Sequence, residues 1–214
     1  MDLPAALLID MDGTIVDSEP YWIEAEHQLV AEHGGTWGPE DAHSIVGFDL
    51  LDAAEELRVR GGVDMEPAAI VEWLLDRVIA KCAEELPWRP GARDLLIEAG
   101  QAGLPCVLVT MSWRRFADAV LAAAPDGVFV GSVTGDEVSN GKPSPDPYLQ
   151  AAALLGVDPG DCVAIEDSPT GVASAVAAGC DTIAVPHVVD VPLQPGVRFF
   201  ESLEGRSLAD VLSA

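Results

Sequence analysis

Positive charge is what this chain has least of. Eleven Lys and Arg stand against 36 Asp and Glu, a formal balance of −25, and the only lysines are Lys81 and Lys142. So acidic a surface argues strongly against a nucleic-acid backbone or an anionic membrane surface as partner. Long hydrophobic runs are missing as well. Hydrophobic residues make up 49% of the chain, yet no uncharged stretch approaches the roughly 20 residues that span a bilayer. Met1 to Pro4 offers neither the basic start nor the apolar stretch of a secretory leader, so a cytoplasmic location is expected. Cysteine is sparse and scattered: Cys82, Cys106, Cys162 and Cys180 form no C-x-x-C pair, which speaks against a zinc site or a disulfide framework and for buried free thiols. A protein this poor in cations that handles an anionic substrate needs a metal ion or a few well-placed positive groups.

What is present centres on the start of the chain. The apolar run Leu7 to Ile9 ends in Asp10-Met11-Asp12-Gly13. Two readings fit. In one, a buried strand delivers both carboxylates to its exposed tip, on one side while the backbone is still extended, and Gly13 permits the turn. In the other, the stretch is an aspartate-rich turn that caps a following helix.

Similar apolar runs recur at Leu104 to Thr110, Gly127 to Gly131, Cys162 to Glu166 and Thr182 to Pro186, each after a helix-like segment. Continuous rather than alternating apolar strands indicate burial on both faces, hence an α/β fold: a Rossmann-like, doubly wound parallel sheet covered by helices. The alternation breaks between Asp17 and Pro87, where helical spacing takes over in three segments, from Pro20, Asp49 and Pro67. Residues 1–16 and 88–214 are therefore expected to form the core domain and residues 17–87 an inserted α-helical cap. Asp49 reads as the N-cap of its helix.

In open α/β sheets the ligand site lies beyond the carboxyl ends of the strands. Asp10, Asp12, Thr110 and Glu166-Asp167 all stand at such ends, and Lys142 lies in the loop Asn140 to Pro145. Together these groups suit phosphoryl transfer. A carboxylate can attack phosphorus to give an aspartyl-phosphate, and a second carboxyl group can protonate the leaving oxygen and later deprotonate water. Several carboxylates around one opening make an oxygen-lined site for Mg²⁺, and a lysine and a hydroxyl complete the clamp on the transferring oxygens.

Asp10-Met-Asp-Gly-Thr14, Asp17-Ser-Glu-Pro20, Thr110, Lys142 in G-K-P-x-P-D-P-Y, and Ile165-Glu-Asp-Ser-Pro-Thr-Gly171 appear in that order. This ordered set resembles the motifs of the haloacid dehalogenase-like (HAD) phosphohydrolases, in the helical-capped branch that holds β-phosphoglucomutase and sugar phosphatases. The resemblance covers nearly the whole chain. It implies that Asp10 is the nucleophile and a metal ligand, and that Asp12 is the general acid/base with its backbone carbonyl also on Mg²⁺. It further implies that Thr110 and the neighbouring amide of Met111 hold the phosphoryl oxygens and that Lys142 neutralises them. Asp167 would bind the metal directly, and Glu166 directly or through water.

The activity so implied is Mg²⁺-dependent hydrolysis of a small phosphorylated metabolite, a sugar or polyol phosphate. Two other readings are weighed. A sugar phosphomutase of the β-phosphoglucomutase type carries a cap histidine and an arginine for the second phosphate, but those places hold Trp22 and, counting from Gly47, Leu50. A catalytically silent binding or regulatory protein would be expected to have lost a nucleophile or ligand, and every one is kept. Substrate-binding candidates are Glu19 and Arg114, with Trp22, His43, Phe48 and Asp49 behind them. An arginine beside an oxyanion site can grip a polar group bidentately.

Overall fold

The computed structural model describes residues 3–46 and 48–213, and Gly47 lies outside them. Two compact units emerge, one from Met1–Asp17 with Pro87–Ala214, the other Ser18–Leu86.

The first unit is built on six parallel strands, β1 (Ala6–Ile9), β2 (Cys106–Val109), β3 (Phe129–Val133), β4 (Cys162–Glu166), β5 (Asp181–Ala184) and β6 (Val197–Phe199), in the order β3-β2-β1-β4-β5-β6. All pairings are parallel, with Leu8 opposite Val107 on one side and Ala164 on the other. Every residue of β1, β2 and β4 is buried, the physical meaning of their unbroken apolar runs. The chain winds from β1 outward through β2 and β3, then returns to the far side of β1 for β4, β5 and β6. That reversal makes β1 and β4 the switch point, where a doubly wound sheet opens a crevice at its carboxyl edge. Helices Ala92–Gln101, Arg114–Ala123, Asp146–Leu155 and Pro169–Ala178 make the crossovers before β2, β3, β4 and β5.

The third strand begins two residues later than the run from Gly127 suggests. Gly127 has a φ of 71°, so it belongs to the turn that feeds the strand. The sequence reading also missed β6 and the helix Leu208–Ser213, both too short to carry a period.

The second unit is all helical: α1 (Glu19–Glu32), α2 (Pro39–Ser44), α3 (Leu50–Val59) and α4 (Pro67–Glu84), with α4 packed on α1 and α3. Leu29, Val30, Leu57, Ile70, Leu75 and Val78 fill its interior. The Asp49 side chain accepts the Leu51 N–H at 2.9 Å and caps α3 as expected. One buried carboxyl interrupts the apolar interior: Glu26, which accepts a hydrogen bond from Trp37 Nε1 at 3.0 Å. Among the described residues no helix is long and apolar enough to cross a membrane.

Candidate active site

The β1 ladder continues one residue past the strand, through Asp10 N–H to the Ile165 carbonyl at 3.0 Å. Beyond it the chain turns at once: the Met11 carbonyl accepts the N–H groups of Thr14, Ile15 and Val16, and Gly13 takes a φ of 82°. A bridge between Asp12 and Val16 fixes the backbone on the far side of the turn. The strand tip is therefore followed at once by a turn, but neither aspartate caps a helix, since the N-cap of α1 is Ser18, and the two carboxylates face different partners.

Asp10 is buried and its Oδ1 accepts Lys142 Nζ at 2.6 Å. The same ammonium lies 2.6 Å from Glu166 Oε1 and donates to the Val109 carbonyl at 2.8 Å. With three protons and three acceptors, Lys142 is fully used. Its loop is held down by the Lys142 N–H on Met111 Sδ at 3.2 Å and by Asn140 Nδ2 donating to Asp146 Oδ2 at 2.8 Å.

Glu166, at the end of β4, is completely buried. Oε1 takes the Tyr148 hydroxyl at 2.7 Å besides Lys142, and Oε2 takes the Asp167 N–H at 3.2 Å and the Ser168 hydroxyl at 3.3 Å. A side chain at Gly171 would overlap this carboxylate. Asp167 Oδ1 lies 3.4 Å from Thr14 Oγ1, and a side chain at Gly13 would run into Asp167.

Asp12 turns elsewhere, toward the loop after β2. Its Oδ2 accepts the Ser112 hydroxyl at 2.7 Å and lies 3.5 Å from Thr110 Oγ1. Thr110 Oγ1 in turn accepts the Ser112 N–H at 3.0 Å. Met111, between them, is half-buried, and its sulfur is the acceptor of the Lys142 N–H.

Of the residues singled out in the sequence, Asp10, Lys142, Glu166 and Asp167 meet in one cluster, and Asp12 and Thr110 meet beside Ser112. Arg114 is drawn aside: its guanidinium forms a two-pronged contact with Glu137, donates to Ser132 Oγ at 2.6 Å and lies 3.6 Å from Asp118. Those bonds tie the crossover helix to the end of β3. Glu19 lies in the first turn of α1, in the helical unit, where Trp22 is buried and Phe48 is exposed. His43 Nδ1 sits 2.7 Å from the Pro39 carbonyl. The residues missed from sequence are Ser112 and Tyr148. Both lie within three residues or six of a chosen one, but only the fold shows what they touch.

Three carboxyl groups share this pocket with a single ammonium. Burial pulls the Lys142 pKa down, but the charges of Asp10 and Glu166 outweigh it and the net shift is upward. Glu166 and Asp167 are both raised, first by lost hydration; for Asp167 the charges of Asp10 and Glu166 then add to the rise. The site therefore holds more negative charge than its lysine balances. Asp10, Glu166 and Asp167 each offer an oxygen within 4.8 Å of the others. Asp10 Oδ2 is buried with no hydrogen-bond partner among the described residues. An orphaned carboxylate oxygen in an all-oxygen cluster, kept clear by Gly13, fits a hard divalent cation such as Mg²⁺.

Comparison with known proteins agrees. Residues 4–179 match a family model described as haloacid dehalogenase-like hydrolase. Hexitol phosphatase A of Escherichia coli (strain K12) is 36% identical over 188 residues, covering 86% of this chain and 84% of that protein. Fructose-1-phosphate phosphatase YqaB of the same strain is 29% identical over 193 residues, 85% and 96% of the two chains. The crystal structure of CbbY from Rhodobacter sphaeroides in complex with xylulose-(1,5)bisphosphate superposes with a TM-score of 0.87 at 29% identity, over 97% of this chain and 99% of that one.

Proposed function

The chain belongs to the haloacid dehalogenase-like hydrolase family and is a phosphatase, and from that premise we propose that it hydrolyses the phosphate ester of a sugar or polyol. The observation that carries this reading is the division of labour at the β1 tip. Asp10 is held by Lys142 and keeps one oxygen unpartnered, while Asp12, two residues on, is held by hydroxyls. That contrast supports a reading in which one attacks and the other moves protons.

Asp10 attacks phosphorus and becomes an aspartyl-phosphate as the bond to the leaving oxygen breaks. Asp12 gives its proton to that oxygen, then takes one from the water that hydrolyses the intermediate. Thr110 Oγ1 and the Met111 amide hold the phosphoryl oxygens, and Lys142 balances the charge on Asp10. Mg²⁺, when bound by Asp10, Asp167, the Asp12 carbonyl and Glu166, directly or through water, supplies charge neutralisation for the phosphoryl group. The four hydrogen bonds on Glu166 favour the route through water.

The helical unit acts as the cap, with Glu19 as a leaving-group contact; Arg114, already committed, is not assigned one. A phosphomutase needs a free cation for a second phosphate. The four cations of the helical unit all have partners: Arg58 with Glu55, Arg60 with Asp41 and Glu56, Lys81 with Glu24, and Arg77 over the Trp73 ring. That supports hydrolysis over transfer, and a neutral polyol over a bisphosphate.

The test is phosphate release from a panel of hexose, hexitol and pentulose phosphates, with Mg²⁺ and with chelator. Turnover of the monophosphates that needs Mg²⁺ and vanishes in Asp10→Asn is expected. Phosphopeptide cleavage without small-ester turnover would overturn the substrate class, and net isomerisation of a sugar phosphate would favour the mutase.

A further inference from the structure

Lys142 reaches into the cluster from a loop with few backbone donors. Gly141 and Pro143, on either side of it, are exposed, and Pro143 and Pro145 have no N–H with which to tie the chain down. The Ser144 N–H closes a turn on the Gly141 carbonyl at 2.9 Å, the Ser144 carbonyl accepts the Ser174 hydroxyl, and the Asn140 to Asp146 contact joins the ends of the loop. The tie at Lys142 itself is its N–H on Met111 Sδ, 3.2 Å away and 31 positions back. A Cβ at Gly141 would lie 2.9 Å from that sulfur, closer than side chains pack, so a glycine there lets the thioether in. The base of the Met111 side chain is fixed as well. Its neighbour Ser112 donates its N–H to Thr110 Oγ1 at 3.0 Å and accepts the Gly135 N–H at 3.0 Å, and a side chain at Gly135 would overlap the Met111 carbonyl. Met111 thus has its backbone in the loop after β2 and its sulfur on the lysine loop.

We propose that Met111 is a positioning residue for Lys142, acting through its thioether sulfur. The inference rests on the phosphatase reading and deepens it, because Lys142 is the group that balances the charge on Asp10 there. The lysine ammonium meets acceptors at the ends of β1, β2 and β4: Asp10, the Val109 carbonyl and Glu166. An ammonium on a flexible four-carbon stem is aimed by the place where its backbone stands. Thioether sulfur is a weak acceptor, but it is polarizable and sits on a long, adaptable side chain, so it can reach an N–H across a gap between two loops. The same residue offers its amide to the phosphoryl oxygens in the phosphatase reading. Its sulfur then fixes the loop that delivers the cation to them.

Because Lys81 and Lys142 are the only lysines, isotope-labelled lysine marks two backbone amides for NMR: Lys142, and Lys81 inside α4 as an internal reference. Exchange of the Lys142 N–H with deuterated solvent reads the sulfur contact directly. Met111→Leu keeps the bulk and removes the acceptor; it is expected to speed that exchange by about two- to tenfold and to leave Lys81 unchanged. Gly141→Ala crowds the sulfur while leaving Met111 in place, and should do the same. Met111→Gln, whose amide oxygen can take the N–H, should restore protection. The kcat for a hexitol phosphate should follow the same order, about tenfold down in Met111→Leu and recovered in Met111→Gln, with KM within about twofold, since a misplaced group costs transition-state stabilisation. Unchanged exchange at Lys142, or equal acceleration at both lysines, overturns the anchor. Faster exchange at Lys142 with wild-type kcat overturns the positioning role. A wild-type chain that turns over no sugar or polyol phosphate overturns the phosphatase reading and the catalytic role with it, while the exchange rates still decide the anchor.

Discussion

Lys142 Nζ lies 2.6 Å from Asp10 Oδ1, although 132 positions separate the two residues. The pair is enclosed, with side-chain exposures of 5% and 9%, and the same ammonium binds Glu166. Removing it strands buried carboxylates of one sign. Breaking such a pair costs about 3–5 kcal/mol because an uncompensated charge remains. Lys142→Met should therefore lower the melting temperature in metal-free buffer and recover part of the loss when Mg²⁺ is added. Scanning calorimetry with and without Mg²⁺ checks this, and a melting temperature equal to wild type in chelator would contradict it.

Asp10 and Asp12 should fail in different ways. On the proposed assignment Asp10→Asn removes the nucleophile, so no phosphoenzyme should form with any substrate. Asp12→Asn keeps the nucleophile and loses about 10²–10⁴-fold on alkyl phosphates, the range of general acid–base catalysis. Trapping the phosphoenzyme by acid quench and mass spectrometry distinguishes them: an adduct in Asp12→Asn and none in Asp10→Asn is expected. Equal, mild losses from both would refute the division.

Tyr148 supports the cluster from below. Its buried hydroxyl donates to Glu166 Oε1 at 2.7 Å, and its ring centroid lies 5.4 Å from Lys142 Nζ. Tyr148→Phe keeps the ring and removes the bond, at a cost of about 1.5–3 kcal/mol for a hydrogen bond to a charged group. Urea unfolding should report that loss, with the Lys142 ion pairs intact and phosphate release reduced rather than abolished.

The central strands and the motif residues were legible because each is a local signal: an unbroken apolar run for β1, β2 and β4, and a charged or hydroxyl-bearing residue at its end. The contacts of those residues were not. Ser112 is an ordinary serine until the fold brings Asp12 within 2.7 Å of it across 100 positions. Arg114 read as a substrate contact because it follows a strand-end hydroxyl, but Glu137 reaches it from 23 positions away and the guanidinium turns there. The edge strand β6, three residues long, has too few side chains to show a pattern.

Glu26 makes the helical unit sensitive to pH. Burial is the main cause, and repulsion from Glu19 adds to it while the Trp37 hydrogen bond opposes; together they push its pKa from 4.5 up to about 8. A raised folded-state pKa means the folded chain keeps a proton that the unfolded chain releases. Folding therefore has no penalty from Glu26 below pH 4.5, loses stability progressively from there to about pH 8, and stays penalised above it. At 1.36 kcal/mol per unit the full penalty is roughly 4–5 kcal/mol. Glu26→Gln, which keeps an acceptor for Trp37, should melt higher than wild type at pH 9 and alike at pH 4. Thermal melts across that range test it, and a difference independent of pH would refute it.

Gly13 joins an unusual backbone conformation to the carboxylate cluster that could hold a cation. At a φ of 82° it occupies a conformation that L side chains rarely adopt, and a Cβ there would overlap the Asp167 carboxylate. Gly13→Ala therefore carries two costs: about 1–2 kcal/mol for the left-handed backbone and a displaced Asp167. The first weakens the fold whether or not a cation is present; the second appears only in binding. Titration calorimetry should find Mg²⁺ affinity lowered by at least about tenfold, which corresponds to 1.4 kcal/mol. Gly127→Ala is the control, with a similar φ of 71° and open space around it. It should lose stability to a like degree and bind Mg²⁺ as wild type does. If both alanines leave Mg²⁺ affinity unchanged, Asp167 is not a ligand; if both lower it equally, the effect is backbone strain rather than a blocked site.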